Sequence, residues 1–200
     1  MNSAQRWLVV ASIGLLAAAP ARAATYSIDT AHSQVQFRVK HLGISTVAGR
    51  FGKFSGSFDL DPSDPGTLAV SAKVDVASID TGEPKRDEHL RSETFFDVAK
   101  FPEIAFKSTS VEALAENKLK ITGDLTLHGV TRAVVLEAEI GGAIKDPWGV
   151  PRAAISAKTT IQRQDFGLTW NKVLDSGGLM IGNAVQVILD VEGVAKTETK

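Results

Sequence analysis

Hydrophobic residues recur with a period of two along most of this chain. Val35, Phe37 and Val39 alternate with Gln34, Gln36, Arg38 and Lys40, the pattern of a strand with one wet face. Val47, Gly49 and Phe51 form one face of a second strand. Phe54, Gly56, Phe58 and Leu60 resume that face on the other parity, which predicts a bulge or kink at Gly52-Lys53. Past the turn-dense Asp61-Pro62-Ser63-Asp64-Pro65-Gly66, a third strand runs through Leu68, Val70, Ala72, Val74 and Val76. Ile104 and Phe106 open a fourth that continues past Val111. Leu119, Ile121, Gly123, Leu125 and Leu127 give a fifth, joined to Val134, Leu136, Ala138 and Ile140 through His128-Gly129, a tight turn in which Gly supplies a positive φ and His tolerates one. Ala153, Ile155, Ala157, Thr159 and Ile161 make the seventh, and Val185, Val187, Leu189 and Val191 the eighth.

A meander with one apolar face must bury that face, either between two sheets or inside a sheet closed on itself. The long, glycine-punctuated, kinked second strand suits a barrel corner, and closure removes exposed edges. The predicted fold is therefore all-β, an eight-stranded antiparallel barrel with an interior wide enough for side chains or one small ligand. Two segments break the strand rhythm. Thr81-Gly82-Glu83-Pro84 leads into the polar run Lys85 to Arg91, which predicts a short helix between strands three and four. Phe95, Phe96 and Phe101 follow it and suggest a cap over one barrel end. Gln164 to Gly182, carrying Phe166, Leu168, Trp170, Leu174 and Leu179, is expected to close or line a mouth.

The first residues belong to a different pattern. Met1 to Arg6 is a short positive leader, Trp7 to Ala19 carries no charge, Pro20 breaks the run, and Ala21-Arg22-Ala23 offers small residues where a signal peptidase reads. Thirteen apolar residues span only about 20 Å as a helix, short of a ~30 Å hydrocarbon core. The expectation is a cleaved secretory signal over residues 1–23, cleavage after Ala23, and a single periplasmic domain over 24–200. Losing Arg6 and Arg22 makes a chain of formal charge −1 slightly more acidic, and no Lys/Arg run exists, which argues against a nucleic-acid partner. The chain has no Cys, so a disulfide framework, a thiol nucleophile and a thiolate zinc site are all excluded.

Candidate chemistry is sparse. His32, His41, His89 and His128 show no metal-ligand spacing, so no metal and no cofactor are expected. Asp29-Thr30-Ala31-His32-Ser33 has the residue types of a triad, but neighbours on a strand point to opposite faces and cannot converge as a relay. There is no G-x-S-x-G, P-loop or G-x-G-x-x-G. Arg163-Gln164-Asp165 reads more readily as a solvated corner pair than as a functional one. Phe37, Phe51, Phe54, Phe58 and Phe106 point inward on the pattern, and two readings stay open. The rings either fill the core, or they wall a channel kept open by the small residues Gly49, Gly56, Ala72, Gly123, Ala138 and Ala157.

Several blocks carry a resemblance. Asp29-Thr30-Ala31-His32-Ser33, Phe37 to Gly43, Gly49-Arg50-Phe51 and Phe54-Ser55-Gly56 resemble the opening of the YceI-like family of periplasmic polyisoprenoid-binding proteins. Arg86 to Leu90 with Phe95-Phe96-Asp97 and Phe101 to Ile104 is similar to its second block. Gly123 to Thr131 is similar to its hairpin, and Arg163-Gln164-Asp165-Phe166-Gly167 to its late signature. The resemblance runs from about Tyr26 to Val194. It implies a lipocalin-like barrel with an apolar interior tunnel that holds a long isoprenoid lipid of polyprenyl or isoprenoid quinone type, and no catalytic residues.

On that resemblance the tunnel lining is expected at Phe37, Val39, Phe51, Phe54, Gly56 and Phe58 in the first half of the chain. Val74, Phe106, Ile121, Leu125, Leu136, Ile155 and Val187 follow. Arg50, Asp87, His89 and Arg163 are the polar candidates for the head group or mouth. The expected role is a non-enzymatic carrier, with transient membrane contact and a homodimer left open. The alternatives are an accessory factor or enzyme acting on an isoprenoid quinone, and a packed barrel serving as a stress or interaction module. N-terminal sequencing of the periplasmic form is expected to begin at Ala24; a start at Met1 or recovery in the membrane fraction would overturn the export assignment.

Overall fold

The computed structural model describes residues 23–196, apart from 116 and 176; the proposed signal segment lies outside these residues except for its last position. The chain forms β1 (Ala24–Ile28), β2 (Gln34–His41), β3 (Ser45–Phe51), β4 (Phe54–Leu60), β5 (Ala69–Asp75) and the two-residue β6 (Ile79–Asp80). After α1 (Pro84–Arg91) come β7 (Glu103–Ala115), β8 (Lys118–Leu127), β9 (Val130–Lys145), β10 (Pro151–Gln162) and β11 (Ile181–Ala195). All pairings are antiparallel.

β11 accepts β2 along its first part and β1 along its last, with Val187 opposite Phe37 and Tyr26 opposite Ala195. β3 pairs β2 and β4 pairs β1. β1 with β2, and β3 with β4, are each one bent strand, and counted so, with the two-residue β6 left aside, the sheet closes into the expected eight-stranded antiparallel barrel. The second bend falls at Gly52-Lys53, where the parity of the apolar face changes. The first, at Asp29–Ser33, has no comparable signature, and the short β1 before it escaped the periodicity.

The lower end of the barrel is packed solid. Phe58 stacks on Tyr26 with ring centroids 5.1 Å apart, among buried Leu60, Leu119, Ile121, Leu136 and Ile155. Such a stack adds about 0.5–1.5 kcal/mol to the burial itself. The upper end carries the irregular segments. Pro84 starts α1 and the Glu83 carboxylate accepts from Lys85 N at 3.2 Å. Arg91 then ties the helix down, donating from Nε to Ala77 O (2.7 Å) and from Nη2 to Ile79 O (2.6 Å). His128 and Gly129 both take positive φ (51° and 74°) in the β8–β9 turn, and Phe101 packs on His128 with centroids 4.5 Å apart.

Three of the small residues, Gly49, Gly56 and Gly123, make room for neighbouring groups and do not themselves border the cavity. A Cβ on Gly49 would stand 2.3 Å from the Phe37 ring, and one on Gly123 would stand 2.4 Å from the Phe106 ring. Each glycine is a seat for an aromatic ring on the neighbouring strand. A Cβ on Gly56 would meet Ser71 O at 2.4 Å and Ala72 Cα at 2.8 Å, so Gly56 lets the β5 backbone approach and keeps no space for a ligand. Ala138 is buried in the lower core.

At the outer base of the barrel Arg152 gathers three carboxylates: Nη1 reaches Asp29 at 2.9 Å and Glu192 at 2.6 Å, and Nε reaches Asp146 at 3.0 Å. His32 Nδ1 lies 2.8 Å from Asp29, while Ser33 bonds the Glu192 backbone instead, so Asp29, His32 and Ser33 form no relay. The His32 hydrogen bond, then Arg152, hold the Asp29 carboxyl down at about 2. A carboxyl lowered on folding stabilises the fold above its unfolded value near 3.8 and loses that contribution as pH falls toward 2.

Two outcomes are expected from this packing. Gly123→Val should lower stability by about 1–3 kcal/mol by displacing the Phe106 ring, read as a drop in melting temperature. Asp29→Asn should flatten the loss of stability between pH 4 and pH 2 in acid melts, while wild type loses it steeply; parallel curves would contradict the role of Asp29.

Candidate functional site

Above the Tyr26–Phe58 floor the barrel is hollow. A cavity of about 390 Å³ runs up to the irregular end, in the range typical of small-molecule sites. The inner faces of the strands supply its wall because alternate side chains of a closed sheet all point to the axis. Phe37 and Val39 come from β2, Phe51 from β3, and Phe54 and Phe58 from β4. Val74, Phe106, Ile121, Leu125, Leu136, Ile155 and Val187 complete the set expected from the sequence and do border the cavity. Gly56 does not, for the backbone reason given above. Ala72 and Ala157 border it too, and they are the small residues that leave it width.

The upper end is built from three pieces: the β2–β3 hairpin, α1 with the phenylalanines after it, and the segment between β10 and β11. Leu42 N donates to Met180 O at 2.8 Å and Met180 N to Lys172 O at 2.9 Å, which lays the hairpin against that segment. The lining reaches the surface at exposed His89 and Lys40. His89 sits edge-on to Trp170, centroids 4.9 Å apart, and Phe95 lies 6.0 Å from each of them. Phe95 and Phe96 wall the upper cavity, as an aromatic cap would; Phe101 does not, because it covers the β8–β9 turn.

The four polar candidates separate. Arg50 is exposed, pairs with Asp80 at 3.0 Å and lies off the cavity. Asp87 is buried but also off the cavity: its carboxylate accepts from Thr81 N (3.0 Å) and Thr81 Oγ1, fixing the helix to the strand before it. His89 and Arg163 border the cavity.

Arg163 corrects the expectation of a solvated corner pair. It is 3% exposed and makes no ion pair; Asp165 is exposed. Its Nε donates to Gly182 O at 3.0 Å, and Nη1 donates to Leu168 O and to Trp170 O at 2.9 Å. The guanidinium carbon lies 5.9 Å over the Phe95 ring. Nη2 has no hydrogen-bond partner among the described residues. Burial pushes this guanidinium down from the ordinary arginine range. The sequence held a signal for this placement: Arg163 stands two residues beyond Ile161, on the inward parity of β10. Arg86 also borders the cavity and was not singled out from sequence; its Nε and Nη2 donate to Thr81 Oγ1 (2.7 Å) and Thr81 O (2.8 Å).

Among the described residues, Asp29, His32 and Glu192 are a His/carboxylate group close enough to hold an ion, but Arg152 already lies between the two carboxylates. None of the three borders the cavity.

Comparison with known proteins gives a consistent picture. The model of the YceI-like domain matches residues 26–193. A UPF0312 protein of Vibrio parahaemolyticus is 43% identical over 178 residues, covering 88% of this chain and 90% of its own. One from Shewanella putrefaciens is 41% identical over 186 residues, covering 92% and 94%. Among solved structures, the Campylobacter jejuni YceI protein superposes with a TM-score of 0.68 at 31% identity, over 79% of this chain and 90% of that one. A polyisoprenoid binding domain from Saccharophagus degradans shares the fold, with a TM-score of 0.66 at 18% identity over 88% of this chain and all of that one.

Proposed function

We propose, from the premise that this chain belongs to the YceI-like family, that it is an exported periplasmic protein that carries a long isoprenoid lipid in its barrel. The observation that supports this most is the cavity itself: a hollow of about 390 Å³ walled almost wholly by apolar side chains in a barrel that could have been packed. The shared fold with a polyisoprenoid binding domain adds to it.

Energetics favour exchange over permanent capture. Each buried CH₂ is worth about 0.8 kcal/mol against water, so a five-carbon prenyl unit offers roughly 3–4 kcal/mol. A lipid that starts in a bilayer forgoes most of that gain, because membrane and cavity are both hydrocarbon-like. The transfer is then decided by cavity fit, chain ordering and contacts to the head group. A polyprenyl chain and an isoprenoid quinone both fit this reading, and it needs no cofactor. It also calls for transient contact with a membrane, at which the lipid is taken up and released. The open cavity weighs against a packed interaction module, and among the described residues no hydroxyl on the cavity wall is hydrogen-bonded to a histidine, the pairing that an enzyme using a serine or threonine nucleophile would want.

Native mass spectrometry of the protein purified without denaturant from its periplasm, followed by organic extraction, is expected to show a co-purifying isoprenoid. Ala157→Phe places a ring in the narrowed lumen and should cut lipid occupancy at least tenfold while the protein still melts cooperatively. Protein that carries no lipid and takes none up from vesicles would contradict the carrier.

A further inference from the structure

We infer that the lipid held in this barrel carries an oxyanion head, of phosphate or carboxylate type, and that the free Nη2 of Arg163 donates to it. The inference rests on the carrier reading above and adds the chemistry of the head group.

Two observations carry it independently. The first is the unpartnered nitrogen. Three of the hydrogen bonds of the Arg163 guanidinium are spent on the carbonyls of Leu168, Trp170 and Gly182, which fix the plane of the group against the upper cavity. Nη2 is left buried, without an acceptor, in a residue that borders the cavity. An unsatisfied buried donor on a charged group costs more than a neutral one, and the cost is recovered when a ligand oxygen arrives. Carbonyls accept hydrogen bonds but do not neutralise charge, so the guanidinium still wants an anion.

The second is the sign of the wall. Lys40, His41, Arg86, His89 and Arg163 all border the cavity, and among the described residues no Asp or Glu does. The buried helix carboxylate, Asp87, is engaged by Thr81 and does not border the cavity. A low-dielectric pocket with donors of one sign concentrates its field on the ligand. A neutral alcohol would satisfy Nη2 with one hydrogen bond yet leave the Arg163 charge unanswered. An oxyanion answers both, and the arginine fork suits it better than an ammonium would. The chain of the lipid then runs down the axis toward Phe58, and the head stays near Trp170 and His89, where the cavity meets solvent.

The test uses the mature protein stripped of lipid, with farnesyl phosphate and farnesol as probes of equal chain and inorganic phosphate as the chainless control, each titrated by calorimetry. A charge-assisted hydrogen bond to a buried cation should make farnesyl phosphate bind about ten- to a hundredfold tighter than farnesol, and inorganic phosphate should not compete at the same concentrations. Arg163→Met should bring the ratio of the two prenyl affinities close to one, whatever loosening of the wall does to both, and Arg163→Lys should restore part of the difference. If farnesol binds as tightly as farnesyl phosphate to wild type, the head-group inference fails and the carrier reading stands. If neither prenyl probe binds, the carrier reading fails first and takes this one with it. Inorganic phosphate competing as strongly as farnesyl phosphate would also overturn it, by placing a free anion at Arg163. Should Arg163→Met weaken both prenyl probes in parallel, Arg163 only braces the segment it binds and the assignment is wrong; the wild-type ratio is measured independently of either variant.

Discussion

The hollow of this barrel depends on where two aromatic rings lie. Phe37 and Phe106 belong to the inner face, and rings of that size pointed at the axis would fill an eight-stranded lumen. They are instead pressed onto the wall, over Gly49 and Gly123 of the adjoining strands, in the space those residues lack. The rings keep their burial and the axis is left free. Ala72 and Ala157 extend the same economy of volume along the wall. Space along the axis depends on this seating, because with any larger residue at either glycine the rings would have to swing inward.

Closure is the second constraint, and it is what separates the two ends. A long β11 takes β2 as neighbour at the upper end and β1 at the lower, so the bend at Asp29–Ser33 lets one stretch of chain seal the sheet at both heights. At the base, closure brings Tyr26 under Phe58 and draws Asp29 and Glu192 to Arg152, which makes a tight, polar-clamped plug. At the top the same strands part around α1 and the β10–β11 segment, where Phe95, Phe96, Trp170 and His89 form a wall of rings instead of a sheet. An apolar tube closed at one end and rimmed by aromatic and basic groups at the other suits a lipid that enters tail first.

Arg163 links these halves. Its carbonyl contacts hold the segment between β10 and β11 in place, and its remaining nitrogen is buried and unpartnered among the described residues, in a residue that borders the cavity. One residue thus shapes the upper wall and supplies its least satisfied donor, so that loosening the wall and weakening a ligand are coupled events.

The alternation of apolar and polar residues determined the strands, their inward faces and even the kink at Gly52-Lys53, because a period of two is a local property of each strand. Pro84 and the polar run behind it marked the helix for the same reason. The inward parity that carried Ile161 also pointed at Arg163. Its burial was missed because a charged residue beside Asp165 reads as a surface pair until the chain is seen to turn there. What the glycines do was decided only in three dimensions: Gly49 and Gly123 receive rings from neighbouring strands, while Gly56, on the same apolar face by pattern, faces the β5 backbone. Arg50 and Asp87 likewise fell to Asp80 and Thr81, partners fixed by how β6 and α1 dock. Strand faces follow from bonds within a segment; cavities and unpaired donors follow from which segments meet, and no local pattern records that.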